Sequence, residues 1–141
     1  MERNEEAFHR IFQFVREFER QFRDQGEFDL STTQFQALST LREAEPLTAM
    51  AMAGLLRIAG PTATRAVDSL KRRGLIVKER DPQDRRIIWL RLTQAGRELW
   101  ERQQERQLAW VSGMLQTLDN QEQRTLTELL GKLEIQAALL P

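Results

Sequence analysis

Apolar residues at Phe8, Ile11, Phe12, Val15, Phe18 and Phe22 recur at spacings of three and four. That period predicts one amphipathic helix from about Asn4 to Asp24, ended by Gln25-Gly26. Ser31-Thr32-Thr33-Gln34 has the form of a capping box, a serine that serves the amide three residues on and a glutamine that reaches back. The helix it opens carries Phe35, Leu38 and Leu41 and stops before Pro46, because the residue preceding a proline avoids helical geometry. Thr48 caps a short third helix through Leu56, with Met50 or Met52, Ala53 and Leu56 on its apolar face. After a tight turn at Arg57-Ile58-Ala59-Gly60, Pro61 suits the first turn of a fourth helix running to about Arg73. Ala63, Ala66, Val67 and Leu70 face inward there, and Gly74 suits the left-handed position that closes a helix.

The pattern then turns to strand. Leu75-Ile76-Val77 leads into Lys78-Glu79-Arg80, and Ile87-Ile88-Trp89-Leu90-Arg91-Leu92 is β-branched and aromatic. Between them lies the polar turn Asp81-Pro82-Gln83-Asp84-Arg85-Arg86, so the two strands form a hairpin with a charged tip. Thr93 caps a long helix to about Thr117, with Leu99, Trp100, Leu108, Val111, Leu115 and Leu118 as apolar positions. Asp119 and Glu122 form a second capping box, and the last helix carries Leu126, Leu129, Leu130, Leu133 and Ala137. The expected class is mostly α with a small β-hairpin wing. Two short helices joined by a tight turn and followed by a hairpin make a winged helix-turn-helix over 31–92. The segments 1–30 and 93–141 have more apolar stripe than so small a centre can cover. They are expected to form a helical dimerisation layer between two copies of the chain.

Composition narrows the chemistry. With no cysteine, no tyrosine and one histidine, thiol chemistry is excluded and a metal site is not expected. No phosphate-binding glycine loop appears, His9 lies among helical residues, and no cofactor or enzymatic activity is expected. No apolar run reaches the ~20 residues that span a bilayer, and the acidic start has no apolar signal core, so a cytoplasmic protein without membrane contact is expected. Net charge is zero, with 21 basic and 21 acidic residues, yet it is segregated. Arg57 to Arg86 holds nine basic residues against four acids, an excess of five positive charges that the rest of the chain offsets. Such a patch is the electrostatic footprint of nucleic-acid binding, although a solvated charged face has the same composition.

In a winged helix-turn-helix the second helix enters the major groove of double-stranded DNA by its N-terminal residues. The candidates are Pro61, Thr62, Thr64, Arg65, Ser69 and Arg72, with Arg65 able to take two acceptors of a guanine and the threonines a thymine methyl or a phosphate. The helix starts at Ser31 and Thr48 favour nearby phosphates. At the hairpin tip Arg85 and Arg86 suit a narrow minor groove, with Asp84 placed to hold an arginine.

Three stretches in order resemble the MarR family of bacterial regulators. Thr64-Arg65-Ala66-Val67-Asp68-Ser69-Leu70-Lys71-Arg72-Arg73-Gly74-Leu75-Ile76 is similar to its recognition helix and exit. Asp81-Pro82-Gln83-Asp84-Arg85-Arg86 is similar to its wing. Leu92-Thr93-Gln94-Ala95-Gly96-Arg97-Glu98-Leu99 is similar to the start of its long fifth helix. The resemblance implies an obligate homodimer built from the terminal helices, which binds a pseudo-palindrome, usually as a repressor. It implies base or phosphate contacts for Thr62, Thr64 and Arg65, a wing role for Arg86, and a salt bridge from Asp68 to a wing arginine. In many members a small aromatic or phenolic anion lowers DNA affinity. Phe12, Phe35, Trp89 and Trp100 are the candidate lining of such a ligand site, with core packing as the alternative. Ala59-Gly60-Pro61 departs from the serine usual at this helix start, and Gly54 from an acidic or polar residue. The absence of cysteine excludes the peroxide-sensing branch's mode of release. Two other readings compete: a winged-helix module whose basic face takes an acidic protein, and an architectural DNA binder without a ligand.

Overall fold

Every helix start that the sequence marks with a hydroxyl or an aspartate is built as a cap. In the computed structural model, which describes residues 2–23 and 30–141, the chain runs α1 (Glu2–Arg23), α2 (Thr32–Ala44), α3 (Ala49–Leu56), α4 (Gly60–Arg72), β1 (Ile76–Arg80), β2 (Ile88–Leu92), α5 (Gln94–Leu115) and α6 (Asn120–Leu139). The expected helix end at Gln25-Gly26 and the side chain of Phe22 lie outside the described residues. Ser31 accepts from the Gln34 amide at 3.1 Å, and the Gln34 side chain accepts from the Ser31 amide at 3.0 Å, which completes the capping box. Thr48 accepts from the Ala51 amide at 3.1 Å and Thr93 from the Gly96 amide at 3.0 Å. The turn after α3 closes on Arg57, whose φ of 53° is left-handed, and the turn after α4 on Gly74 at φ 73°.

The chain divides into two compact units, Met1–Gln103 and Gln104–Pro141. The core of the first is drawn from six elements: Leu38 and Leu41 of α2, Met52 of α3, Val67 and Leu70 of α4, Ile76 of β1, Leu90 and Leu92 of β2, and Trp100 of α5. Met52 fills the inward position of α3, and Met50 is exposed. β1 and β2 pair antiparallel from Ile76↔Leu92 to Arg80↔Ile88. Facing pairs share one side of the sheet, so Ile76 and Leu92 look inward while Val77, Glu79, Trp89 and Arg91 occupy the outer face. Leu47 adds a short third bridge on Leu90, donating at 3.3 Å and accepting at 2.7 Å. Just before it, Glu45 accepts from the Leu92 amide at 2.7 Å and pairs with Arg97, tying the end of α2 to the junction of β2 and α5.

In the second unit the Asp119–Glu122 capping box is complete, and the Gln123 side-chain amide donates to the carbonyls of Leu115 and Leu118. It thereby supplies a donor to the last carbonyl of α5 and to one in the turn that follows. Leu129, Leu130 and Leu133 of α6 are each about half exposed, as are Phe8, Ile11, Phe12, Phe14 and Val15 of α1. Among the described residues no helix is long and apolar enough to cross a membrane.

α5 begins against the exit of α4. Thr93 donates its amide to the Leu75 carbonyl at 3.0 Å and its hydroxyl to the Gly74 carbonyl at 2.7 Å. A Cβ on Gly96 would lie 2.1 Å from the Leu75 oxygen, a backbone atom with no freedom to yield. Gly96→Ala is therefore expected to destabilise the winged unit by about 1–3 kcal/mol, the usual size of an overpacking defect. Denaturant unfolding of the variant checks this, and an unchanged midpoint would show that the junction is looser than described.

Candidate nucleic-acid interface

The basic segment folds so that three elements meet. α4 starts without a side-chain cap, since its N-cap is Ala59, and Pro61 contributes no N–H. Its inner face buries Ala63, Ala66, Val67 and Leu70, which leaves Pro61, Thr64, Arg65 and Arg72 exposed and Thr62 half-buried. The caps at Ser31 and Thr48 spend only an acceptor of each hydroxyl, so the O–H of each is still a donor for a phosphate oxygen.

An open cleft of about 350 Å³ gathers Thr48 and Met50 of α3's start, Thr64 of α4, and Lys78, Arg86 and Ile88 of the hairpin. Three residues expected to meet DNA, from three separate elements, thus share one surface. Ser31 joins them indirectly, because the Gln34 of its capping box also donates to Ser69 of α4 at 2.8 Å. Ser69 is half-buried at that α2–α4 link, which makes it a structural hydroxyl as well as a candidate contact.

Acids shape the basic face. The Asp84 carboxylate accepts from Nε and Nη2 of Arg86, each at 3.0 Å, and from the Arg86 amide at 3.1 Å. This two-pronged pair fixes the direction of an otherwise exposed guanidinium. It holds the Asp84 carboxyl below the usual carboxylate range and raises the Arg86 guanidinium further. Asp68 differs from what the resemblance implies. Its partner is Lys78 of β1 at 2.7 Å, and not an arginine of the wing. The reason is local: Lys78 lies on the inner face of the hairpin beside α4, while Arg86 is already engaged by Asp84. Lys78 holds the Asp68 carboxyl below its ordinary value.

The four aromatic candidates have different partners within the single chain. Phe35 and Trp100 stack, with centroids 6.4 Å apart and planes within 5°. Trp100 also donates to Ser39 at 2.7 Å and lies under the Arg42 guanidinium at 4.3 Å. Trp89 sits on the outer face of the hairpin and donates to Asp81 at 2.9 Å. Phe12 stacks on Phe8 of its own helix.

Comparison with known proteins identifies the family and the fold. The MarR family model matches residues 28–87. An uncharacterised HTH-type transcriptional regulator of Bacillus anthracis is 34% identical over 106 residues, covering 74% of this chain and 70% of the relative. The chain belongs to the MarR family. Its fold is that of a MarR family protein from Bacillus stearothermophilus, with a TM-score of 0.83 at 22% identity over 98% of both chains. It is also that of Streptococcus pneumoniae FabT, solved in complex with DNA, with a TM-score of 0.79 at 24% identity over 97% of this chain and 96% of that one. The chain is therefore a DNA-binding transcriptional regulator of the winged helix type, in a family of regulators and not of enzymes.

Three features of this MarR-type interface escape a reading of the sequence. The Gln34–Ser69 bridge was legible only as half of a capping box. The Asp68–Lys78 pair needs the hairpin's twist to bring β1 against α4. Asp81 reads as a turn residue, yet it accepts from the Gln83 and Asp84 amides as well as from Trp89.

Asp68, Asp81 and Asp84 all have lowered pKa values. Lowered folded values mean that these carboxylates stabilise the hairpin fully above the unfolded value of about 3.9, and that this stabilisation is lost as pH falls through the lowered values. The Trp89 indole N–H resonance is therefore expected to hold its position from about pH 8 to 5 and to move only in stronger acid. A shift centred near neutral pH would contradict the carboxylate network.

Proposed function

We propose that this MarR-family chain represses transcription as a homodimer on a pseudo-palindromic operator, in the cytoplasm where bacterial chromosomal DNA lies. The observation that carries the reading is the common surface of Thr48, Thr64 and Arg86, with Arg65 exposed on the same helix as Thr64. Two such surfaces related by a two-fold axis suit successive major grooves, about 34 Å apart. In this reading Pro61, Thr62, Thr64, Arg65, Ser69 and Arg72 face the major groove and its phosphates. Ser31 and Thr48 meet the backbone, and Arg85 and Arg86, with Asp84, meet the minor groove. The FabT complex shows DNA on a protein of this fold. The dimer reading is supported by the apolar residues left half exposed on α1 and α6, which a monomer would present to water at a cost of roughly 25 cal/mol per Å².

For release by a small aromatic or phenolic anion, the supporting features are the half-buried Phe35, stacked on the buried Trp100, and the exposed Arg42 cation over that indole. Phe12 and Trp89 would belong to such a site only after rearrangement. A ligand acts there by preferring one spacing of the paired DNA-binding surfaces over another.

Fluorescence anisotropy on the duplex upstream of the protein's own gene, at two salt concentrations and against unrelated competitor, tests the reading. Competitor-resistant binding is expected at two chains per site, with affinity falling about 0.9 log units per log unit of salt for each phosphate neutralised. Arg65→Ala should cost about 1–3 kcal/mol at one base position and relax specificity there. Arg86→Ala should weaken binding more evenly across sequences. Wild-type affinity in Arg65→Ala would refute the recognition-helix assignment, and preference for an acidic protein over every duplex would favour the protein-interaction module.

A further inference from the structure

An exposed hairpin tip that meets DNA loses conformational freedom on binding, and any device that orders it beforehand lowers that loss. This chain contains one. Asp81, the first residue past β1, spreads its carboxylate over three donors. Oδ1 accepts from the amides of Gln83 and Asp84, both at 2.9 Å, and Oδ2 from the Trp89 indole at 2.9 Å. The Asp81 amide donates to the Ile87 carbonyl at 2.9 Å, and the Ile87 amide to the Asp84 carbonyl at 3.0 Å. Arg80 spans the same turn, donating to the Arg85 carbonyl at 3.0 Å. The backbone of Asp84 is thus fixed from both sides, and its carboxylate in turn holds Arg86.

Trp89 carries one donor and no acceptor. It lies on the outer face of β2, away from the core-facing Leu90 and Leu92, where its ring adds nothing to the buried cluster. Its N–H has a single directed use, and that use reaches back across the hairpin to the residue that folds the tip. The Asp81 carboxyl is held below its ordinary range, first by this indole bond and then by the two amides, as a carboxylate committed to these donors should be.

We infer that Trp89 and Asp81 are positioning residues for DNA binding, a cross-strand staple that pre-orders the hairpin tip so that Asp84 presents Arg86 in a fixed direction. The inference rests on the reading of Arg86 as a DNA contact. It gives Trp89 a role different from ligand lining.

The test is a double-mutant cycle in the full chain, using as probe the tightest duplex that the wild-type protein selects from a random library. Trp89→Phe keeps an aromatic ring and removes the N–H. It should bind roughly fivefold more weakly, the size of one net hydrogen bond, with a thermal midpoint lowered slightly but still well above the assay temperature. In the Arg86→Ala background the same change should cost less than about twofold, because the staple acts through Arg86. The Arg86 Nε–H resonance should show greater mobility in Trp89→Phe than in wild type. Asp81→Ala, which spares the ring, is the second variant and should show the same coupling if Trp89→Phe folds poorly. Wild-type affinity in both variants, with Arg86→Ala still weak, overturns the staple alone. An equal loss in both backgrounds also overturns it, since Trp89 would then act on DNA or on the fold directly. Wild-type affinity in Arg86→Ala removes the wing contact itself and the staple's purpose with it.

Discussion

The winged unit depends on how closely α5 approaches the end of α4. At that point Gly96 lies against the Leu75 carbonyl with no room for a side-chain carbon. Thr93 bonds the carbonyls of Gly74 and Leu75 on the same spot. This junction closes the hairpin at its root, because Leu75 and Thr93 flank the first pair, Ile76 and Leu92. With the root fixed, Leu90 and Leu92 fall into the core beside Leu41 and Leu70, and the outer-face residues project the opposite way. The direction of the tip, and so the reach of Arg86, follows from a contact at the far end of the hairpin. Gly74 enables it by taking the left-handed conformation that lets the chain reverse out of α4.

Around this frame the charges are organised by acids and not merely by an excess of bases. Asp68 holds Lys78 against α4, Asp84 holds Arg86, and Glu79 pairs with Arg91 on the outer face. Exposed ion pairs of this kind contribute little to stability, with typical values of about 0–1 kcal/mol. Their effect here is directional, since each limits the arc a long cation can sweep. A guanidinium held by a carboxylate is less strongly attracted to phosphate but is already aimed when it arrives. In a chain of zero net charge, local aim matters more than bulk attraction.

Much of the fold was legible because local chemistry agreed with the tertiary outcome. Ser31, Thr48 and Asp119 cap the helices they mark, Gly74 closes α4, and the change of period near Leu75 marks the hairpin. The apolar spacing of α4 named its four buried residues. Partner choice across elements was not legible. Asp68 had basic residues on either side of the hairpin to choose from, and only the inward position of Lys78 decides the pair. Trp89 and Trp100 look equivalent as aromatic residues in apolar runs. One is placed outside by strand alternation and the other inside by the α5 helix, so their indole donors go to Asp81 and Ser39.

The apolar residues of α1 and α6 complete the physical argument for a partner. In α1 the exposed set of Phe8, Ile11, Phe12 and Val15 lies at helical spacing, so the exposure is one continuous stripe and not scattered surface. Scattered apolar residues are ordinary on a protein surface, whereas a stripe several turns long is the form of a helix seam. α6 repeats the pattern with Leu129, Leu130 and Leu133. Helical stability in water comes mainly from packing such a face, and among the described residues neither helix has a buried one of its own in the single chain. In the proposed homodimer a second copy would supply identical stripes, and self-complementary contact about a two-fold axis would bury both without any other protein. In such a dimer the separation of the two recognition helices would decide which half-site spacing can be read, so pairing of the helices and choice of operator would be linked.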